Sequence, residues 1–357
     1  MMMKLEKEKS SIAIAGLGIG AIAALLVMLG NPVNMGFCIA CFLRDISGAL
    51  GLHRASAVQY IRPEIIGLVL GSLLMAVRYK EFSPRGGSSP ITRFIIAFFV
   101  MIGCLMFLGC PFRMILRLAG GDGNALFGLV GFVAGILCGV FFLNRGYSLK
   151  RTYKLPSGEG GLLPAVMVVL LVLLLLKPAF IFFTEAGGGP GANHAGILFS
   201  LLAGLAVGAL AQRTRLCMVG GIRDVVLFKE FKLLLGFVMV FAAALVCNIA
   251  FGLFKPGFSG QPVAHTDGLW NALGMLLCGF GCVMLGGCPL RQLVLSGEGN
   301  SDSAITVIGL MIGAAFAHNF GLASSGAGPT ANGKIAVVIG LIVIAGIACA
   351  NTFKREK

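Results

Sequence analysis

A cysteine stands directly before a proline twice in this chain, in "FLGCPFR" from Phe107 and in "LGGCPLR" from Leu285. Proline lacks an N–H and has a pre-set φ, so it suits the first position of a helix. Cys110 and Cys288 are therefore expected to cap short helices that begin at Pro111 and Pro289. "PFRMILRL" and "PLRQLVLS" are too short to cross a bilayer and read as re-entrant half-helices. A helix N-terminus is a positive dipole end, and Arg113 and Arg291 add a fixed charge one turn further on. The expected product is a thiol in an anion-attracting pocket, built twice.

A second cysteine motif is also repeated. "CIACFLRD" (38–45) answers "CMVGGIRD" (217–224), with Cys, Arg and Asp at the same spacing. An Arg-Asp pair inside a membrane is expensive unless the two groups meet each other. Asp45 and Asp224, with Arg44 and Arg223, are accordingly expected to lock the re-entrant segments. Cys41 completes a Cys-x-x-Cys with Cys38, a couple that could form a reversible disulfide, whereas Gly220 holds the matching place in the second half. Cys104 and Cys282 lie six residues before the Cys-Pro cysteines and are paired by the repeat. Cys138, Cys247, Cys278 and Cys349, on plain apolar faces, read as small filler. So many thiols could suit Cu(I) or Zn(II). No histidine or carboxylate cluster completes a shell, however, and arginine beside the thiols repels a cation. No metal is expected. The four histidines, 53, 194, 265 and 318, share no motif.

The elements that position these residues follow from composition. Of 357 residues, 57% are apolar and 12% charged, and the mean hydropathy is +0.95. A soluble domain cannot cover that much apolar side chain, so an all-α polytopic membrane protein is expected, with roughly 20 residues per span. The net charge of +14 is not gathered into a patch with interleaved aromatics, which argues against nucleic acid. Apolar runs suggest ten spans, near 12–30, 63–79, 91–108, 125–143, 162–183, 194–212, 232–253, 267–286, 302–320 and 335–352. No cleavable signal peptide is read before Ile12. With the N-terminus inside, 20 Lys and Arg fall on the inner side and 8 on the outer, which puts both termini in the cytoplasm.

The repeat extends beyond the cysteines. "GCLMFLGCPFR" (103–113) and "GCVMLGGCPLR" (281–291) agree at seven of eleven positions, and "GDGN" at 121 answers "GEGN" at 297. Each half holds five spans. Five is odd, so the second half is expected to be inverted relative to the first, with half-helices from both meeting at the centre. The expected division is a first repeat at 1–160, a fifth span and outer loop at 161–193, and the second repeat at 194–357.

Paired Cys-x5-Arg-Asp and Gly-Cys-Pro-x-Arg segments on two halves resemble the YeeE/YedE family of bacterial inner-membrane proteins. The stretch "NPVNMGFCIACFLRDISGALGLHRASAVQYIRPEIIGLVLGS" resembles its YedE branch, associated with selenium metabolism and selenium transport. Members that take up thiosulfate are hourglass-shaped, and their substrate is thought to pass between cysteine thiols. The resemblance implies that role for Cys38, Cys110 and Cys288, with Cys217 the symmetry mate of Cys38. The Cys-x-x-Cys and the arginine after each Cys-Pro belong to the YedE branch and turn the expectation from thiosulfate toward another soft chalcogen species.

The expected function is thus inner-membrane import of a small selenium- or sulfur-containing species. The path residues are Cys38, Cys41, Cys104, Cys110, Cys217, Cys282, Cys288, Arg113 and Arg291. No enzyme activity and no cofactor are expected; the partners are the substrate, the lipid bilayer and a cytoplasmic selenium- or sulfur-handling protein, with no nucleic acid. Rival readings are thiosulfate uptake by the same path, a membrane thiol oxidoreductase using Cys38 and Cys41, and a non-transporting selenium-delivery subunit. Reporter fusions at Gly86 and at the C-terminus should both report cytoplasm, and one at Gly188 the outer face. Opposite sides for the first two would break the odd-repeat argument.

Overall fold

In hydrocarbon a backbone must satisfy its own hydrogen bonds, and helices do so within one segment. The computed structural model describes residues 2–353 and is predominantly helical. The first half runs α1 (Met2–Met28), α2 (Ile39–Ala49), α3 (Pro63–Arg78), α4 (Pro90–Phe107), α5 (Pro111–Ala119) and α6 (Asn124–Asn144). A short α7 (Ser157–Gly160) and α8 (Leu162–Leu176) follow. The second half runs α9 (Ile197–Thr214), α10 (Met218–Phe228), α11 (Lys232–Ala250), α12 (Gly268–Leu285), α13 (Pro289–Gly297), α14 (Ser301–Asn319) and α15 (Ala331–Phe353). The sheet is confined to a two-stranded ribbon, β1 (Arg85–Gly86) antiparallel to β2 (Tyr153–Lys154).

Among the described residues, nine helical stretches are long and apolar enough to cross a membrane. Three of them, Pro90–Ala119, Ile197–Phe228 and Gly268–Gly297, each join a long helix to a short one. Side chains such as Ile342 and Leu176 stand exposed on the perimeter, where acyl chains would cover them. The chain is an all-α polytopic membrane protein.

The sequence places the fifth span at 162–183, and here the structure differs. α8 stops at Leu176 because Lys177 takes a left-handed conformation (φ 47°) ahead of Pro178. Its 15 residues rise roughly 22 Å, short of the ~30 Å hydrocarbon core, and non-helical chain extends the passage beside α3, from Gly160 against Pro84 to the Thr184 N–H on the Gln59 carbonyl.

The halves interlock by exchange. The cysteine motifs pair α1 with α9, α3 with α11, α4 with α12 and α6 with α14. In the structure α1 packs on α11 while α3 packs on α9, and α4 packs on α14 while α6 packs on α12. The short helices follow suit: α5 sits against α11 and α13 against α3. Glycines four residues apart make these approaches possible, as small residues do between membrane helices. Gly67 and Gly71 meet α9, Gly204 and Gly208 meet α3, and Gly131 and Gly135 meet α12. A β-carbon at Gly131 would lie 1.9 Å from the Ala272 carbonyl oxygen, and one at Gly135 2.2 Å from that of Leu276.

Gly135→Ala should therefore force α6 off α12, at a cost of at least 1–3 kcal/mol (order of magnitude). At Gly346, where nothing lies within 4 Å, the same change should be harmless. Thermal unfolding of the detergent-purified variants checks this, and equal melting would refute the close-packing account.

Candidate functional site

Four short helices begin inside the protein, and a cysteine caps each one. Cys38 precedes α2, Cys110 α5, Cys217 α10 and Cys288 α13, all four in extended backbone. An N-cap supplies an acceptor for the unpaired N–H groups of the first turn. The Cys38 sulfur accepts from the Cys41 N–H and the Cys217 sulfur from the Gly220 N–H, both at 3.4 Å. Cys110 and Cys288 make no side-chain cap bond and have proline at the next position. Both predicted half-helix starts are where the structure has them, and each helix has nine residues.

The thiols form a buried series. Cys217 and Cys288 lie sulfur to sulfur at 3.9 Å, and Cys38 has Cys110 and Cys41 as interacting neighbours. Between these groups Cys104 stands 3.5 Å from Cys278, which is 3.9 Å from Cys282. Cys278, read from its apolar surroundings as filler, thus lies within the series in space. Its α12 face meets Cys104 on α4, a contact that no spacing within one helix discloses. All eleven cysteines are free thiols, so the Cys38–Cys41 pair is not a disulfide here, while Cys138 and Cys349 lie exposed on the periphery.

The charges are distributed unequally. In the first half Asp45 is fully buried and holds two arginines: Arg44 on Oδ1 (2.7 Å) and Arg62 on Oδ2 (2.7 Å). Arg62 also donates to the carbonyls of Pro190 and Asn193 and lies over the Phe42 ring. In the second half Arg223 pairs with Asp224 at 2.8 Å, partly exposed and, among the described residues, without a second arginine. The adjacent Arg-Asp pairing expected from sequence is present in both halves. Arg62 was not singled out, although its position just ahead of a proline-started helix was a signal.

The acids of "GDGN" and "GEGN" tie down the far ends of the Cys-Pro helices. Asp122 binds Arg117 at 2.7 Å, both fully buried, and Glu298 binds Arg291 at 3.1 Å. Arg291 is so engaged, but its counterpart Arg113 is not, because Arg117 has taken the acid. Fully buried, Arg113 donates to the carbonyls of Asn34, Leu108 and Val263 and to the Cys41 sulfur (3.8 Å). No carboxylate forms an ion pair with it among the described residues. The histidines, unrelated in sequence, partly converge: His53 lies 4.7 Å from His318, ring to ring.

The fold and the site define a polytopic helical membrane protein whose short helices carry cysteine caps. Residues 213–352 match the family model described as sulphur transport. A 116-residue stretch is 28% identical to the thiosulfate transporter TsuA of Escherichia coli (strain K12), covering 32% of each chain. The match spans about a third of that relative's length. Both matches cover only part of the chain, and both are likenesses to sulfur-transport proteins.

Asp45→Asn should leave two buried guanidiniums without a counter-charge, at a cost of about 3–5 kcal/mol. Asp224→Asn should cost about 1 kcal/mol or less, since water screens its partner. Folded yield and thermal stability of the two variants check the difference, and equal losses would contradict the buried double bridge.

Proposed function

We propose that this chain imports a small sulfur- or selenium-containing anion across the bacterial inner membrane. The single observation that carries the reading is the buried thiol series at the meeting point of four half-helices. Polarizable sulfurs offer contacts that are weak and multiple, favourable enough to admit a chalcogen species and loose enough to release it. Cys38 and Cys110 would receive the substrate in the first half. Cys104, Cys278 and Cys282 would bridge the halves, and Cys217 and Cys288 would hand the substrate on. Arg113 contributes a positive charge balanced only by dipoles, which an anion beside Cys41 would complement. Its donors are already engaged, so this role is attraction through the field, with anchoring of α5 as its structural duty. Arg291 keeps partial exposure and would draw the anion from its side. In this reading the halves 1–160 and 194–357 are inverted about the centre, with α8 and its loop between them and both termini cytoplasmic. The sulphur-transport match and the likeness to a thiosulfate transporter support a sulfur substrate, and the YedE-like stretch favours selenium.

Cells expressing this chain alone should accumulate labelled selenite, selenide or thiosulfate, and the preferred label identifies the substrate. Cys110→Ala and Cys288→Ala should abolish uptake at unchanged membrane abundance, Cys278→Ala should reduce it severalfold, and Cys349→Ala should leave it intact. If all four behave alike, the thiol path is wrong.

A further inference from the structure

Away from the thiols, an open cavity of about 510 Å³ is set among the ends of α4, α6, α10 and α12. Four cations line it, Arg93, Lys150, Arg151 and Arg223, and no carboxylate does among the described residues. Arg93 is occupied by Ser88 and Asp302. Arg223 shares its Nε and one terminal nitrogen with Asp224. Lys150 and Arg151 have no ionic partner among the described residues.

The loop that presents these charges is built, not loose. The β1–β2 ribbon pins Tyr153 and Lys154 to Arg85 and Gly86. Ser88 and Ser89 donate side-chain hydrogen bonds to the Leu149 carbonyl at 2.7 and 2.9 Å. Ser89 (φ 49°) and Lys150 (φ 73°) are held in left-handed backbone, which costs of order 1–3 kcal/mol each and persists only where surroundings enforce it. Tyr147 supplies the independent pointer. It lines the cavity, is 8% exposed, and its buried hydroxyl has no hydrogen-bond partner among the described residues. Burial pushes that phenol further up from its ordinary range, so it remains a neutral donor. A buried donor left unmade beside four cations calls for an acceptor.

We infer that this cavity is an oxyanion cradle, in which Lys150, Arg151 and Arg223 supply charge and the Tyr147 hydroxyl an uncharged donor. Its chemistry is that of a small sulfur or phosphorus oxyanion, whether free or carried on a lipid headgroup. Leu285 and Gly286, which immediately precede Gly287-Cys288, form one wall, and Arg223 comes from the Cys217-capped helix. Both second-half thiol segments thus contribute to it. The inference rests on the importer reading only for its purpose, as the site where an anion leaving the Cys217–Cys288 pair is held before release.

The test uses full-length protein in lipid-free detergent, titrated with inorganic thiosulfate and sulfate by calorimetry, and in nanodiscs with and without phosphatidylglycerol. Free oxyanion should bind in detergent. The Lys150→Gln/Arg151→Gln double variant should bind at least about tenfold more weakly, Tyr147→Phe severalfold more weakly, and Lys334→Gln normally. Should saturation require phosphatidylglycerol and still be lost in the double variant, the same cradle holds a lipid phosphate. Binding in neither arm, or binding unchanged in the double variant, overturns the assignment. Uptake is scored separately: a wild-type protein that binds through Lys150 and Arg151 but imports nothing would refute the importer and leave the cradle standing.

Discussion

Every short helix at the centre of this protein leaves N–H groups at its start that lipid cannot solvate, and that constraint organises the rest. The ends must be buried in protein and given acceptors. Cysteine holds the cap position in all four cases; the sulfurs of Cys38 and Cys217 accept a first-turn N–H, while proline removes one such donor after Cys110 and Cys288. Holding such ends at depth needs further ties, and the structure uses charge for them. Asp45 gathers Arg44 and Arg62 behind α2, and Asp122 and Glu298 each catch an arginine of a Cys-Pro helix.

The two halves do not use these ties identically, and the difference has electrostatic content. In the second half the arginine nearest the cap is neutralised by Glu298. In the first half Arg117, where the second half has Leu295, captures Asp122 and leaves Arg113 facing carbonyl oxygens. One extra arginine thereby moves an uncompensated charge to the thiol-rich interior. Buried cations among dipoles are tolerated but keep a field that a passing anion would feel.

Much of this was legible in the sequence, because the strongest cues are local. Cys-Pro declares a helix start, and an adjacent Arg-Asp inside an apolar region declares a pair. What escaped were partnerships across helices. Cys278 looks like any small residue on an apolar face until Cys104 arrives opposite it. "GLVLG" and "GLAVG" are visible small-residue spacings, yet nothing within either says that α3 and α9 are mates. Arg62 needed the 190–193 loop to explain its burial. The span at 162–183 was overextended as a helix because hydropathy continues past Lys177-Pro178 while the helix cannot.

The glycine-lined contacts between halves carry a mechanical consequence. With carbonyl oxygens where β-carbons would otherwise stand, α3 against α9 and α6 against α12 have no soft side-chain layer to shear through. Rocking one half over the other would have to part backbone from backbone along several helices together. Such a frame behaves as a stiff ring around a compliant centre. In the proposed importer, turnover would then be set by the rotation of a few thiols and small displacements of nine-residue helices, a barrier of far smaller mass and area than a swinging domain.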